Sequence, residues 1–170
     1  MDPGKTQDIG IVTWNVAGQN EMDAQRRAPA TAATYAEMGG DIILLQEVAK
    51  NSLKLIRGAR PDLEYYMGET HYEFHMHPIG YRDSRFTPLD EGVLWLPSTM
   101  GKRAASWVLF KDSEFKNPET NRSQELVVVN TQWDNISLEH RINSAKIILK
   151  FLEENVLNHF TVVSGDTNIN

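Results

Sequence analysis

Four short runs along the chain are apolar and β-branched and stop at polar residues, which predicts strands. They are Ile9–Trp14, Asp41–Leu45, Glu125–Asn130 and Phe160–Ser164. Within them, Ile42-Ile43-Leu44-Leu45 and Leu126-Val127-Val128-Val129 show no polar alternation. A strand without a polar face is covered on both sides, as in a layered α/β core. Fainter strand patterns lie at Pro78–Tyr81, Gly92–Leu96 and Ala104–Phe110. The clearest helix is Leu138–Val156, with Ser137 at the N-cap and Glu139 in the first turn. Its Leu138, Ile142, Ala145, Ile148, Leu149, Leu152 and Val156 recur as one apolar stripe. A second helix is expected within Met22–Met38, ended by Gly39-Gly40 and broken or restarted at Pro29. A short one is expected at Asn51–Arg57, and Lys111–Ser123 reads as a hairpin loop around Asn117-Pro118. With no repeat, low-complexity tract or linker, residues 1–170 read as one domain whose first seven residues form a flexible end.

Composition narrows the function classes. The 170 residues are 41% hydrophobic and 24% charged, which is the globular norm rather than that of a disordered or fibrous chain. No apolar run approaches the roughly 20 residues needed to span a bilayer, and the polar N-terminus has no secretory h-region. The lack of cysteine excludes disulfides, thiolate metal sites and a cysteine nucleophile, and is compatible with a cytoplasmic setting. The formal charge is −6, with no basic stripe of the kind that a sequence-blind nucleic-acid binder presents. A phosphate-bearing substrate would need a cation to bridge it to so acidic a protein.

The residues that end the strands carry the chemistry. The first run ends in Trp14-Asn15 and the second in Gln46-Glu47. The third continues into Asn130-Thr131-Gln132-Trp133-Asp134-Asn135, and the last into Gly165-Asp166-Thr167-Asn168. Layered sheets build sites at strand ends. Carboxylates and amides are oxygen donors that suit hard cations such as Mg²⁺. Gly-rich phosphate loops and Gly-x-Ser-x-Gly elbows are missing.

In this order, Thr13-Trp14-Asn15, Leu45-Gln46-Glu47, Pro78-Ile79-Gly80-Tyr81-Arg82, Asn130-Thr131-Gln132 and Gly165-Asp166-Thr167-Asn168 give the chain a family likeness. It resembles the endonuclease/exonuclease/phosphatase superfamily, metal-dependent phosphodiesterases that include the DNase I-like nucleases and the inositol-phosphate phosphatases. The likeness runs from about Ile9 to Asn168 and includes Leu89-Asp90-Glu91-Gly92 with Leu94-Trp95-Leu96. It implies an α/β sandwich of two mostly antiparallel sheets flanked by helices. It also implies Mg²⁺, with Mn²⁺ as an alternative, and a phosphoester substrate, either nucleic acid or a small phosphodiester. Glu47 would be the principal metal ligand, supported by Asn15 and Asp166. Asp166 would position or deprotonate the attacking water, Asn168 would donate to a phosphoryl oxygen, and Asn15 and Arg103 would contact the substrate.

Three departures from the family pattern stand out. Gln132 occupies the position of a family histidine, so a donor remains there but no proton shuttle. The family's partner glutamate aligns with His75, two residues after Glu73, which implies a His75–Gln132 pair. The family's late Ser-Asp-His motif has no counterpart after Asp166, since the histidines are His71, His75, His77, His140 and His159. The expectation is therefore a C-terminally incomplete sandwich whose open sheet edges favour self-association. A degenerate or truncated binding module is the alternative to an enzyme. The cluster His71, His75 and His77 lacks further ligands for a zinc site, and Arg141 is expected to tie down the Asp134 loop through a carboxylate.

Overall fold

The continuously apolar runs become the central strands of two packed sheets. A computed structural model describes residues 8–18, 21–68, 77–101, 103–116 and 123–169. Its elements are β1 (Ile11–Asn15), α1 (Glu21–Glu37), β2 (Ile42–Gln46), α2 (Lys50–Ala59), β3 (Glu64–Tyr66) and β4 (Ile79–Tyr81), followed by β5 (Phe86–Leu96), β6 (Arg103–Lys116), β7 (Ser123–Gln132), α3 (Leu138–Asn155) and β8 (Phe160–Asp166). One sheet has the order β1-β2-β4-β3 and the other β5-β6-β7-β8. The pairs β1/β2 and β7/β8 are parallel and the others antiparallel. The expected α/β sandwich is therefore the architecture found.

Three apolar layers follow from strand alternation. Between the sheets, Ile42, Leu44 and Ile79 meet Phe86, Val108, Phe110, Leu126 and Val128. The opposite face of the first sheet, Ile43 and Leu45, packs with Tyr35 and Ile56 of α1 and α2. The opposite face of the second, Val127 and Val129, packs with Ile148 and Phe151 of α3. Both central strands are thus buried on two faces, which is why their sequences carry no polar alternation.

Several expectations change. Helix α1 runs unbroken through Pro29. Pro29 and Gln25 lie on its exposed side, where the carbonyl left without a donor meets water, while Ala24, Ala28 and Tyr35 hold the other side in the core. Strands β5 and β6 start earlier and end later, respectively, than their apolar patterns, because the pairing continues through a stretch in which Phe86, Phe110 and Asp112 are buried while Thr87, Pro88, Asp90 and Lys111 are exposed. Much of Lys111–Ser123 is therefore strand rather than loop. The three-residue β3 is too short to show any period. Helix α3 is capped by Ser137, whose hydroxyl accepts from His140 N at 3.2 Å, as expected. Its stripe is only partly covered, since Leu138, Ile142 and Leu149 are exposed. Among the described residues, no helix is long and apolar enough to cross a membrane. The expected flexible end, Met1–Gln7, lies outside the described residues.

At one end of the sandwich, the buried Arg85 guanidinium grips the buried Asp112 carboxylate through Nε–Oδ1 at 3.0 Å and Nη2–Oδ2 at 2.8 Å. Its Nη1 also donates to the Asp8 carbonyl at 3.0 Å and lies 3.4 Å from Asp41 Oδ2. The entrances to β1, β2 and β5 are thereby fastened to the middle of β6. The other end carries the strand-terminal acids and amides.

Candidate functional site

Strands β1, β2, β7 and β8 all bring their C-terminal ends to one end of the sandwich. Two buried amides lock the sheets together there. Asn130 Nδ2 crosses from β7 to the carbonyls of Leu45 at 2.8 Å and Pro78 at 3.0 Å. Gln46 Nε2 returns the contact to Asn130 Oδ1 at 2.7 Å and also reaches Thr13 Oγ1 at 3.1 Å. Both amides are hydrogen-bonded, so the pair fixes the inter-sheet register rather than destabilising the core.

Directly above this lock, four side chains converge. Asn15 Nδ2 donates to Glu47 Oε1 at 3.0 Å and to Asp166 Oδ2 at 2.8 Å, while its Oδ1 accepts from Ala17 N at 2.8 Å. Gln132 Nε2 donates to the same Glu47 oxygen. Glu47 is only 4% exposed and has φ +56. Regular alternation would send its side chain toward the helices with Ile43 and Leu45. The left-handed turn, costly for a residue with a Cβ, carries it across the strand ends to Gln132 instead.

Asp166 is placed by a glycine. Gly165 pairs with Thr131, has φ +144, and a Cβ there would lie 1.9 Å from the Thr131 carbonyl oxygen. Only glycine permits that approach, which sets Asp166 opposite Gln132. The Asp166 Oδ1 accepts from Asn168 N at 3.0 Å, and Asn168 Nδ2 donates to the Trp133 carbonyl at 2.9 Å. Asn168 thereby ties the end of β8 to the loop after β7, with a second N–H left on the same nitrogen.

Asn15, Glu47, Asp166 and Asn168 line an open pocket of about 430 Å³ with Ala17, Asp23 and Arg27. Arg27 holds the turn after β1, its Nη2 donating to the Ala17 carbonyl at 2.5 Å. Neither Asp23 nor Arg27 was legible from strand ends, because both come from α1. Among the described residues, no group of three or more His, Cys, Asp or Glu side chains is set to hold a metal. Two carboxylates drawn to one amide in an open pocket are nonetheless a donor set that suits Mg²⁺, which keeps several waters and uses one or two carboxylates.

The other expected site residues divide. Gln132 lies in the cluster. Arg103 does not, meeting Asn135 Oδ1 at 3.5 Å. His75, and with it the His75–Gln132 pair, lies outside the described residues, as do Glu73 and His71. Arg141 ties down the Asp134 loop through the Asp134 backbone carbonyl at 3.1 Å, not through a carboxylate.

Asp134 itself is a structural anchor beside the site. Its Oδ1 accepts from Ile136 N at 2.7 Å and Ser137 N at 2.6 Å, and its Oδ2 accepts from Thr99 N. Burial alone would raise its carboxyl, but the N–H donors of Ser137, Thr99 and Ile136 outweigh it and hold it well below the ordinary carboxylate range. A carboxyl whose pKa is lowered by folding stabilises the fold above its unfolded value and loses that effect as pH falls. Asp134→Asn is therefore expected to cost about 1–3 kcal/mol at neutral pH and to flatten the acid side of the stability profile. Urea unfolding at pH 7 and below pH 4 measures both.

No family model matches the sequence. Human tyrosyl-DNA phosphodiesterase 2 is 24% identical over 163 residues, which cover 95% of this chain and 42% of the human protein. The chain thus spans about two fifths of the length of that curated relative. A Bacteroides vulgatus endonuclease/exonuclease/phosphatase superposes with a TM-score of 0.80 at 26% identity, covering 97% of this chain and 67% of that one. The mannosyl-6-phosphatase Bt3783 of Bacteroides thetaiotaomicron gives 0.76 at 22% identity, covering 96% and 66%. D. rerio TDP2 complexed with a single-strand DNA product gives 0.75 at 18% identity, covering 97% and 62%. The resemblance seen in the motifs is thus matched in three dimensions: the chain has the endonuclease/exonuclease/phosphatase fold, and its structural neighbours are proteins of that family.

Proposed function

We propose that this chain carries the catalytic face of a divalent-metal-dependent phosphoester hydrolase acting on a phosphodiester. The observation that carries the reading is the Asn15 amide joining Glu47 to Asp166, with Gln132 on the same Glu47 oxygen. Four strands converge to place two carboxylates where the pocket meets water. Support comes from two similar proteins, one named a phosphodiesterase and the other a phosphatase.

Glu47 and Asp166 would hold Mg²⁺ or Mn²⁺, with Asn15 fixing both carboxylates. The cation supplies Lewis-acid polarisation of the phosphoryl oxygens and offsets the negative charge of the pocket. Asp166 orients a water and accepts its proton as the water oxygen bonds to phosphorus. The bond from phosphorus to the leaving oxygen breaks in the same displacement. The remaining amide hydrogens of Asn168 and Gln132 are the donors available to the phosphoryl oxygens, where fixed dipoles act without reorganisation. Neither can protonate a leaving group, so esters of acidic alcohols or phenols are the substrates this set serves best.

Bis(4-nitrophenyl) phosphate meets that requirement. Turnover should need Mg²⁺ or Mn²⁺, stop with chelator, and fall by about 10²-fold or more in Asp166→Asn. One observation favours a second reading, that of a binding module: Gln132 donates to Glu47 and, as an amide, cannot shuttle a proton. Metal binding without turnover would support that reading, and the absence of metal binding would overturn both. Among the described residues, β1 and β8 are outer strands of their sheets, and an open outer strand can pair with a second strand. Sedimentation across a concentration series would detect self-association.

A further inference from the structure

We infer that Arg27 is a positioning residue for the metal centre: its guanidinium braces the turn after β1, so that Asn15 holds both carboxylates in place before a cation arrives. The inference rests on the metal-site reading above. Two left-handed residues meet at this point, Ala17 with φ +53 and Glu47 with φ +56. Their turns are interlocked, since Val16 N donates to the Gln46 carbonyl at 3.0 Å and Gly18 N to the Glu47 carbonyl at 2.9 Å. A Cβ on Gly18 would lie 2.0 Å from that Glu47 oxygen, so only glycine lets the two turns approach so closely. Ala17, by contrast, carries a Cβ and is exposed, so the left-handed turn is held there against local preference.

What holds it is Arg27. Its Nη2 donates to the Ala17 carbonyl at 2.5 Å and its Nη1 to the Val16 carbonyl at 3.4 Å, a planar fork over two successive carbonyls. The Ala17 N–H donates to Asn15 Oδ1 at 2.8 Å. That contact orients the Asn15 amide, whose Nδ2 spans Glu47 and Asp166. The brace stands on a rigid base, because Ala24 and Ala28 on either side of it in α1 are buried. Among the described residues that line the pocket, Arg27 is also the one cation. By charge alone a cation in the wall opposes a metal ion, whereas a brace on Asn15 favours it. Charge and geometry therefore predict opposite signs for the effect of removing Arg27 on metal affinity.

The test uses the full chain, ¹⁵N-labelled at asparagine and free of metal, with Asn15→Gln identifying the Asn15 side-chain amide signal. In Arg27→Ala that signal should move toward the position of a solvent-exposed amide and exchange faster with water. Calorimetric titration should then show Mg²⁺ binding about ten-fold more weakly, as when a contact supporting a metal ligand is lost. Arg26→Ala removes the same charge one residue away, from a side chain that is 80% exposed, and should leave both readouts unchanged. Ala17→Gly takes up φ +53 freely, so in combination with Arg27→Ala it should restore much of the lost affinity. General damage to α1 would not be repaired in that way. If Arg27→Ala fails to fold, Arg27→Lys, which keeps the charge but not the fork, should show the same changes in smaller measure. An unmoved Asn15 signal, or equal or tighter Mg²⁺ binding without Arg27, would overturn the brace while leaving the metal site standing. Failure of the parent chain to bind Mg²⁺ would overturn the metal site, and the Asn15 signal, read without metal, would still decide whether Arg27 sets the carboxylate pair.

Discussion

Glu47→Gln is expected to weaken Mg²⁺ and Mn²⁺ binding ten-fold or more and to lower metal-dependent hydrolysis with it, while thermal unfolding stays close to that of the parent chain. One Glu47 oxygen already accepts the amide hydrogens of Asn15 and Gln132. A glutamine at 47 keeps those contacts only by turning its own oxygen toward the two donors, which aims its N–H₂ group into the pocket. The substitution therefore removes a charge and puts a donor where a cation needs an oxygen. Calorimetric titration of both chains measures the change directly. Equal metal affinities would remove Glu47 from the centre of the site.

The second large effect lies at the far end of the molecule. Arg85→Ala leaves Asp112, which is 1% exposed, as a buried carboxylate without its guanidinium. Breaking one side of a buried pair costs about 3–5 kcal/mol because the remaining charge is uncompensated. That is a large share of the stability of a small domain. Urea unfolding should show the loss, and the double variant Arg85→Met with Asp112→Leu should recover only part of it, because Asp112 Oδ1 also accepts from Glu114 N at 2.9 Å and Phe115 N at 3.2 Å. Metal affinity in the folded fraction should not move, since the pair closes the end of the sandwich opposite Glu47. A loss of only a few tenths of a kcal/mol in Arg85→Ala would mean that water reaches Asp112.

Structure is legible in the sequence where burial imposes a pattern. The apolar runs of β2 and β7 announce strands covered on both sides, and the residues after them announce a site. What the pattern conceals is direction. Gln46 and Glu47 are adjacent strand-terminal polar residues in the sequence, yet one faces the sheet interface and the other turns by a left-handed φ toward Gln132. Asn130 looks like a strand-ending amide but is fully buried and bonded to the opposite sheet. Such roles depend on partners far along the chain, which no local period encodes. Gly165 reads in the sequence as part of a motif, but its function, a close approach to Thr131, belongs to the pairing of β7 with β8. Pro29 misleads in the other direction, because helix-breaking chemistry yields when the freed carbonyl faces water.

The bond from Asn15 to Asp166 joins residues 151 positions apart. During synthesis, the first sheet can therefore leave the ribosome with Glu47 held by Asn15 alone. Its second carboxylate is still inside the exit tunnel when β7 emerges. Loops of that length close late, after the local contacts have formed. A half-made chain thus meets phosphate esters and divalent ions with Glu47 alone, and the two carboxylates come together only when β8 pairs with β7.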